Sequence, residues 1–185
     1  MVSMIKGTVD FMSVEVEIQA YLCIPIDSNV RFFYHNSLHE LELVWWLATW
    51  ILFFHYPVRT AATGSLNAQK AAVNELFPRI LDSMGRSKFM RFPGNFERIV
   101  ESLHVDFHPY GNKLDNLRTS LQKAYSKFEA YLVDEDSIEN INNFSDQNSL
   151  DGIHEIFRSM FRVNPFSSVW LSGREGFRQK KRHMR

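Results

Sequence analysis

The chain predicts a mainly α fold, and three observations carry that reading. Leu41 to Phe54 is apolar at every position except Glu42 and Thr49 and is bracketed by helix start and stop signals. Through most of the remaining chain apolar residues return at three- and four-residue spacing, the period of one helix face. Strand signals are sparse, and "VNPFSSVWL" (163–171) is the one segment worth naming as a candidate.

The apolar run comes first. At about fourteen residues it falls short of the roughly 20 that a bilayer-spanning helix needs. Ser37 and Glu40 have capping-box spacing at its start, and Pro57, which cannot continue a helix, closes its end. The segment therefore reads as a helix of about five turns, apolar nearly all round and buried on most sides. Such a helix needs others around it.

The rest of the chain supplies them. Leu66 to Met84 carries a face of Leu66, Val73, Leu76, Phe77, Ile80, Leu81 and Met84, with Pro78 expected to kink or split it. "GRSKFMRFPGN" reads as a connector. Asn95 is the expected cap of a helix presenting Phe96, Ile99, Val100, Leu103 and Phe107, which "HPYGN" should break. Asn112 is the expected cap of a longer helix bearing Leu114, Leu117, Leu121, Tyr125, Phe128 and Leu132. An acidic loop containing Asp134, Glu135 and Asp136 follows, then an amphipathic segment of Leu150, Ile153, Phe157, Met160 and Phe161. Residues 172–185 form a basic tail that reads as disordered.

Composition bounds the function. Phe is the dominant aromatic, so the core is expected to be built from large rings. The formal net charge is zero, which argues against whole-surface attraction to nucleic acid or anionic lipid. The basic run Arg174 to Arg185 leaves a tail contact with nucleic acid or a nuclear address open. Cys23 is the single cysteine, so no internal disulfide can form, which fits an intracellular location in cytoplasm or nucleus. Cys23 lacks a flanking basic residue and reads as a buried, inert thiol. No secretory leader is evident at the start. Nor is there a phosphate-binding glycine motif or a cysteine pair. His35 and His39, like His104 and His108, stand four apart, but neither pair has a third ligand nearby, so both read as capping or surface residues.

Two segments go further. "GTVDFMSVEV" (Gly7 to Val16) and "YHNSLHELELVWWLATWILFFH" (Tyr34 to His55) resemble, in order and spacing, the C-terminal lobe of the fungal-type protein kinases. In that family a "GT-x-x-FMS-x-E" segment closes the activation region and an "H-D-L-E-S-L-W-W" helix follows. The resemblance implies a helical C-terminal lobe of a protein-kinase-like fold, lacking the N-terminal β lobe, over residues 1–171 as a partial domain. It implies that Gly7, Thr8 and Phe11 floor a peptide-substrate groove. Glu15 would form a structural ion pair with a later arginine, Arg118 or Arg98. His39 and Glu40, at the start of the tryptophan-rich helix, would anchor the catalytic loop. Val14 stands where kinases often carry Pro, Glu40 where the family carries Asp and Leu43 where it carries Ser.

Phosphoryl transfer requires a phosphate-covering glycine loop, a strand lysine, a catalytic Asp and a magnesium-binding Asp. In the family all four precede the "GT" segment, and here only six residues do. The expected chain is therefore a lobe that binds no cofactor itself, although the complete family uses ATP and Mg, and is inactive alone. Its expected partner is a protein substrate or the missing N-lobe segment, with no membrane. The alternative is a non-catalytic helical interaction module, with apolar surface near Phe11, Phe32 and Phe33 as its contact face.

Overall fold

The computed structural model describes residues 9–24, 33–55, 65–78 and 83–133. These are mainly helical, and no strand occurs among the described residues. A 3-10 turn at Val9–Phe11 leads into α1 (Val14–Ile18). There follow α2 (Ser37–Phe53), α3 (Ser65–Leu76), α4 (Ser83–Arg91) and α5 (Pro93–Glu101). A second 3-10 turn, Val105–Phe107, opens α6 (His108–Val133).

The tryptophan-rich segment is a helix, as its pattern predicts, but its cap lies one residue earlier. Asn36, not Ser37, is the N-cap: its Oδ1 accepts the Leu38 amide at 2.9 Å. His39 completes the box in place of Glu40, its Nδ1 accepting the Asn36 amide at 3.0 Å. A neutral imidazole nitrogen serves this purpose as well as a carboxylate and leaves the second ring nitrogen free to bond elsewhere.

Helix α2 packs along α6, and rings fill the space between them and α5. Trp45, Trp46, Phe53 and Phe96 are fully buried. Trp45 meets Trp46 edge-on at 4.7 Å and Phe96 at 5.1 Å between centroids, within the range of favourable aromatic pairs. The Trp45 indole also donates to the Leu114 carbonyl at 2.8 Å, tying the two helices together. One stripe of α2 stays open: Leu43, Val44 and Leu47 are each more than a third exposed.

Three expected boundaries shift. The "GRSKFMRFPGN" connector is helical through α4, because Phe89 and Met90 are fully buried and draw the segment onto the core. Phe92 rather than Asn95 precedes α5, with Pro93 at its first position, where the missing amide costs nothing. The "HPYGN" stretch opens α6 rather than breaking the chain, so Asn112 lies inside a helix and does not cap it. Pro109 is tolerated there for the same reason as Pro93. Gly111 has a packing role: a Cβ at this position would sit 2.6 Å from Val100 Cγ1. The glycine thus lets α6 approach α5 closely.

The expected α6 face of Leu114, Leu117, Leu121, Tyr125, Phe128 and Leu132 is buried throughout. Helix α3 stops at Leu76, two residues before Pro78. The expectations for 134–136, 150–161, 163–171 and the 172–185 tail, and the boundary at 171, lie outside the described residues. Among the described residues, no helix is long and apolar enough to cross a membrane.

Candidate functional site

The segment from Met12 to Ile24 folds against the first half of α2, and the contacts are polar at depth. Ser13 precedes α1, whose first three residues, Val14, Glu15 and Val16, are buried. The Val14 amide donates to Glu42 Oε1 at 2.9 Å, satisfying one of the donors that any helix start leaves open. The same oxygen accepts the Trp46 indole N–H at 2.9 Å, and Glu42 Oε2 accepts the Tyr125 hydroxyl at 2.7 Å. Glu42 is fully buried, so these three donors replace the water that its carboxyl gives up on folding.

Beside it lies a second polar cluster. Glu15, also fully buried, accepts the Leu22 amide at Oε1 (2.8 Å) and faces His39 Nε2 from Oε2 (2.9 Å). Because His39 Nδ1 is already an acceptor, the ring proton belongs on Nε2 and is donated to Glu15. Burial pushes the His39 pKa down to about 4, so the ring is neutral near pH 7 and the contact is a hydrogen bond between a neutral donor and a carboxyl. Burial likewise pushes Glu15 up to about 7, with the nearby Glu42 adding to the shift.

The chain then reverses at Gln19, which adopts the left-handed conformation (φ 53°) that ends α1 and bonds its side-chain amide to the Val16 carbonyl at 2.6 Å. The reversal lays Tyr21–Ile24 along α6. There Glu129 Oε2 accepts the amides of Cys23 and Ile24, both at 2.7 Å. A buried arginine supports α1 from α4. Arg86 donates to Glu17 Oε2 at 3.0 Å and to the Met12 carbonyl at 2.8 Å, and its guanidinium stacks 4.1 Å above the Trp46 ring.

The expected site residues divide. Gly7 and Thr8 lie outside the described residues. Phe11 is half-buried and packs edge-on against Trp50 at 6.0 Å, so one side of its ring lies against α2. The expected Glu15–Arg118 ion pair does not form. Arg118, fully buried, bonds instead to Asp115 at 2.7 Å and to the Met90 carbonyl at 3.2 Å, pinning α4 to α6. Arg98 pairs with Glu75 at 2.7 Å near the surface. The carboxyl of Glu15 is satisfied by amide and imidazole donors, which removes the electrostatic need for an arginine.

His39 is at the centre of the site, whereas Glu40 is on the surface, 3.6 Å from His35. The buried acid of the first turns is Glu42. Its signal was available in the sequence as a lone carboxylate inside an apolar helix. Tyr125 is legible as a member of an apolar helix face but not as a partner of Glu42, and Glu129 and Arg86 carry no comparable signal among the polar residues around them. Cys23 is exposed rather than buried, and desolvation of its thiol, with Glu129 nearby, pushes it up to about 11, so the thiol form prevails near pH 7. Among the described residues no group of three His, Cys, Asp or Glu side chains could hold a metal ion.

The arrangement can therefore fix a backbone segment against a helical core and hold protons in a dry setting. Comparison of the chain with protein-family models, with curated proteins and with solved structures returns no match.

Proposed function

We propose that this chain is the C-terminal lobe of a fungal-type protein kinase, a scaffold that orders a substrate-groove segment and transfers no phosphate by itself. One observation carries the reading. The two segments that bear the resemblance, separate in sequence, are joined in space by Val14–Glu42 and Glu15–His39 hydrogen bonds. In a kinase lobe the segment closing the activation region must sit against the central helix, so this joining is what the reading requires. In that frame Gly7, Thr8 and Phe11 belong to the groove side. His39 and Glu40 would be the anchor of a catalytic loop, Glu40 from the surface of α2, with that loop, ATP and Mg supplied by an N-terminal segment.

The test is lobe complementation. The chain, mixed or fused with the N-terminal segment of a fungal-type kinase that carries the glycine loop, lysine and both catalytic aspartates, is incubated with ATP, Mg and a protein acceptor. Phosphate transfer is expected from the combination, from neither part alone, and is weakened by Glu40→Gln. Transfer restored by that kinase's own C-terminal lobe but not by this chain refutes the reading.

A second reading, a non-catalytic helical interaction module, is favoured by the open apolar stripe of Leu43, Val44 and Leu47 on α2. It expects a discrete self-associated species in light scattering that Leu47→Asp returns to monomer. Indiscriminate aggregation in place of a discrete species counts against it.

A further inference from the structure

We propose that Glu15 and Glu129 share a single proton, and that this proton latches the Tyr21–Ile24 segment onto α6. The inference does not depend on the kinase-lobe reading.

Three consecutive backbone amides of the segment are held by two carboxyls from different helices. Leu22 N–H reaches Glu15 on α1, and Cys23 and Ile24 N–H reach Glu129 on α6. Both carboxyl residues are essentially without solvent exposure. Glu129 Oε1 is buried and no donor serves it, and the Glu15 and Glu129 carboxyls are near enough for each to bear on the other's ionisation. Two ionised carboxylates facing each other in a dry site would repel, and an unserved carboxylate oxygen would add its own desolvation penalty.

The surrounding charges do not relieve this. From α2 come His39, a neutral donor committed to Glu15, with Glu42 and the more distant Glu40. From α6 comes the Tyr125 hydroxyl, which is donated to Glu42. The segment itself contributes Tyr21 and Cys23, both with raised pKa values for which burial is the first cause. Arg91 on α4 is a cation that acts on Glu15 through space without bonding to it in the contacts above. A proton resolves the conflict. Both Glu15 oxygens already face donors, whereas Glu129 takes its two amides through Oε2 alone and leaves Oε1 as the oxygen open to a proton. A proton on Glu129 Oε1 donated to Glu15 would serve the bare oxygen and cancel one charge. Consistent with this geometry, burial pushes both carboxyls up to about 7. Loss of the proton leaves two like charges beneath three amides, and the segment is released.

Amide hydrogen exchange tests the latch, read as protection factors of Leu22, Cys23 and Ile24 so that intrinsic pH effects are divided out. In the wild-type chain protection is expected to fall about tenfold per pH unit from roughly pH 5 to about 7 and then level off, because opening releases one proton. Glu129→Gln keeps the shape, accepts the two amides through its carbonyl and places a permanent donor where the proton sits. Its protection is expected to be independent of pH. Wild type and variant falling in parallel, or a flat wild-type profile, overturns the proposal. Should the variant not fold, a carbon-13 titration of the wild-type glutamate carboxyls decides the matter. One carboxyl still protonated near pH 6 supports the latch, and every glutamate titrating below about pH 5 overturns it.

Discussion

Trp46 lies one helical turn beyond Glu42 on α2, and its indole N–H donates at 2.9 Å to the same carboxylate oxygen that receives the Val14 amide. A single buried oxygen thereby joins the side of α2 to the start of α1. Arg86 stacks over the face of the same indole ring. Position and polarity are coupled here: the tryptophan fills the core only while its N–H has an acceptor.

That coupling sets the cost of losing Glu42. Glu42→Leu matches the apolar surroundings but strands the Val14 amide, the Trp46 indole and the Tyr125 hydroxyl. A destabilisation of about 3–5 kcal/mol is expected in urea unfolding, since each orphaned buried donor costs roughly 1–3 kcal/mol. Tyr125→Phe removes one donor only and is expected to cost about 1–2 kcal/mol. Equal losses for the two variants would show that the carboxyl does not organise the site.

Thr49, the other polar residue of this apolar helix, behaves oppositely. Its hydroxyl is buried with no hydrogen-bond partner, and the residue has no solvent exposure. Thr49→Val keeps the branched shape and removes the unserved group. Stability is expected to rise by about 1 kcal/mol, the penalty of an unmade buried hydrogen bond. A drop in the thermal midpoint would mean that the hydroxyl has an acceptor after all.

Gly111 is predicted to be intolerant for steric reasons, not conformational ones. An added Cβ meets Val100 Cγ1 at 2.6 Å and Leu103 Cδ1 at 3.3 Å, and a valine in a helix has little rotamer freedom with which to move aside. Gly111→Ala is expected to cost about 1–3 kcal/mol through overpacking. Adding Val100→Ala should return part of that loss, so the double-mutant cycle has a favourable coupling term. Additive losses would place the α5–α6 approach elsewhere.

The contrast among these residues shows what was legible beforehand. The helical fold, α2 and the buried face of α6 follow from apolar period and length, signals that survive without tertiary context. The caps did not follow, because Asn36 and Ser37 are both good caps by chemistry, and His39 out-competes Glu40 only through its bond to distant Glu15. The "HPYGN" segment reads as a break because the local turn propensity of Gly and Pro contains nothing of the α5 surface against which Gly111 packs. Glu42 could be singled out as a polar interruption, but its partners come from α1, its own helix and α6. Glu129 was invisible as a site residue: a glutamate on a long polar helix becomes special only when residues 23 and 24 fold over it.

The pH dependence of folding follows from two opposed shifts. His39 titrates at about 4 in the folded chain against an ordinary value of 6.5. Between those values the unfolded chain binds the extra proton, so this contribution to stability is fully present above about pH 6.5 and is lost as pH falls towards 4. Glu15 and Glu129 are raised from 4.5 to about 7. Here the folded chain binds the extra proton, so their contribution is complete below about pH 4.5 and is lost as pH rises through 7. With one proton shared by the carboxyl pair, the slopes cancel between about 4.5 and 6.5, each being near 1.4 kcal/mol per pH unit at most. His39→Gln removes the first term and retains a donor towards Glu15. Relative to wild type, its unfolding free energy is expected to decline by up to about 1.4 kcal/mol per unit as pH rises through that window. The comparison is made as variant minus wild type, so groups common to both, such as the lowered Glu75, drop out. Stability-against-pH curves that stay parallel for the two proteins would mean that His39 is not held neutral in the fold.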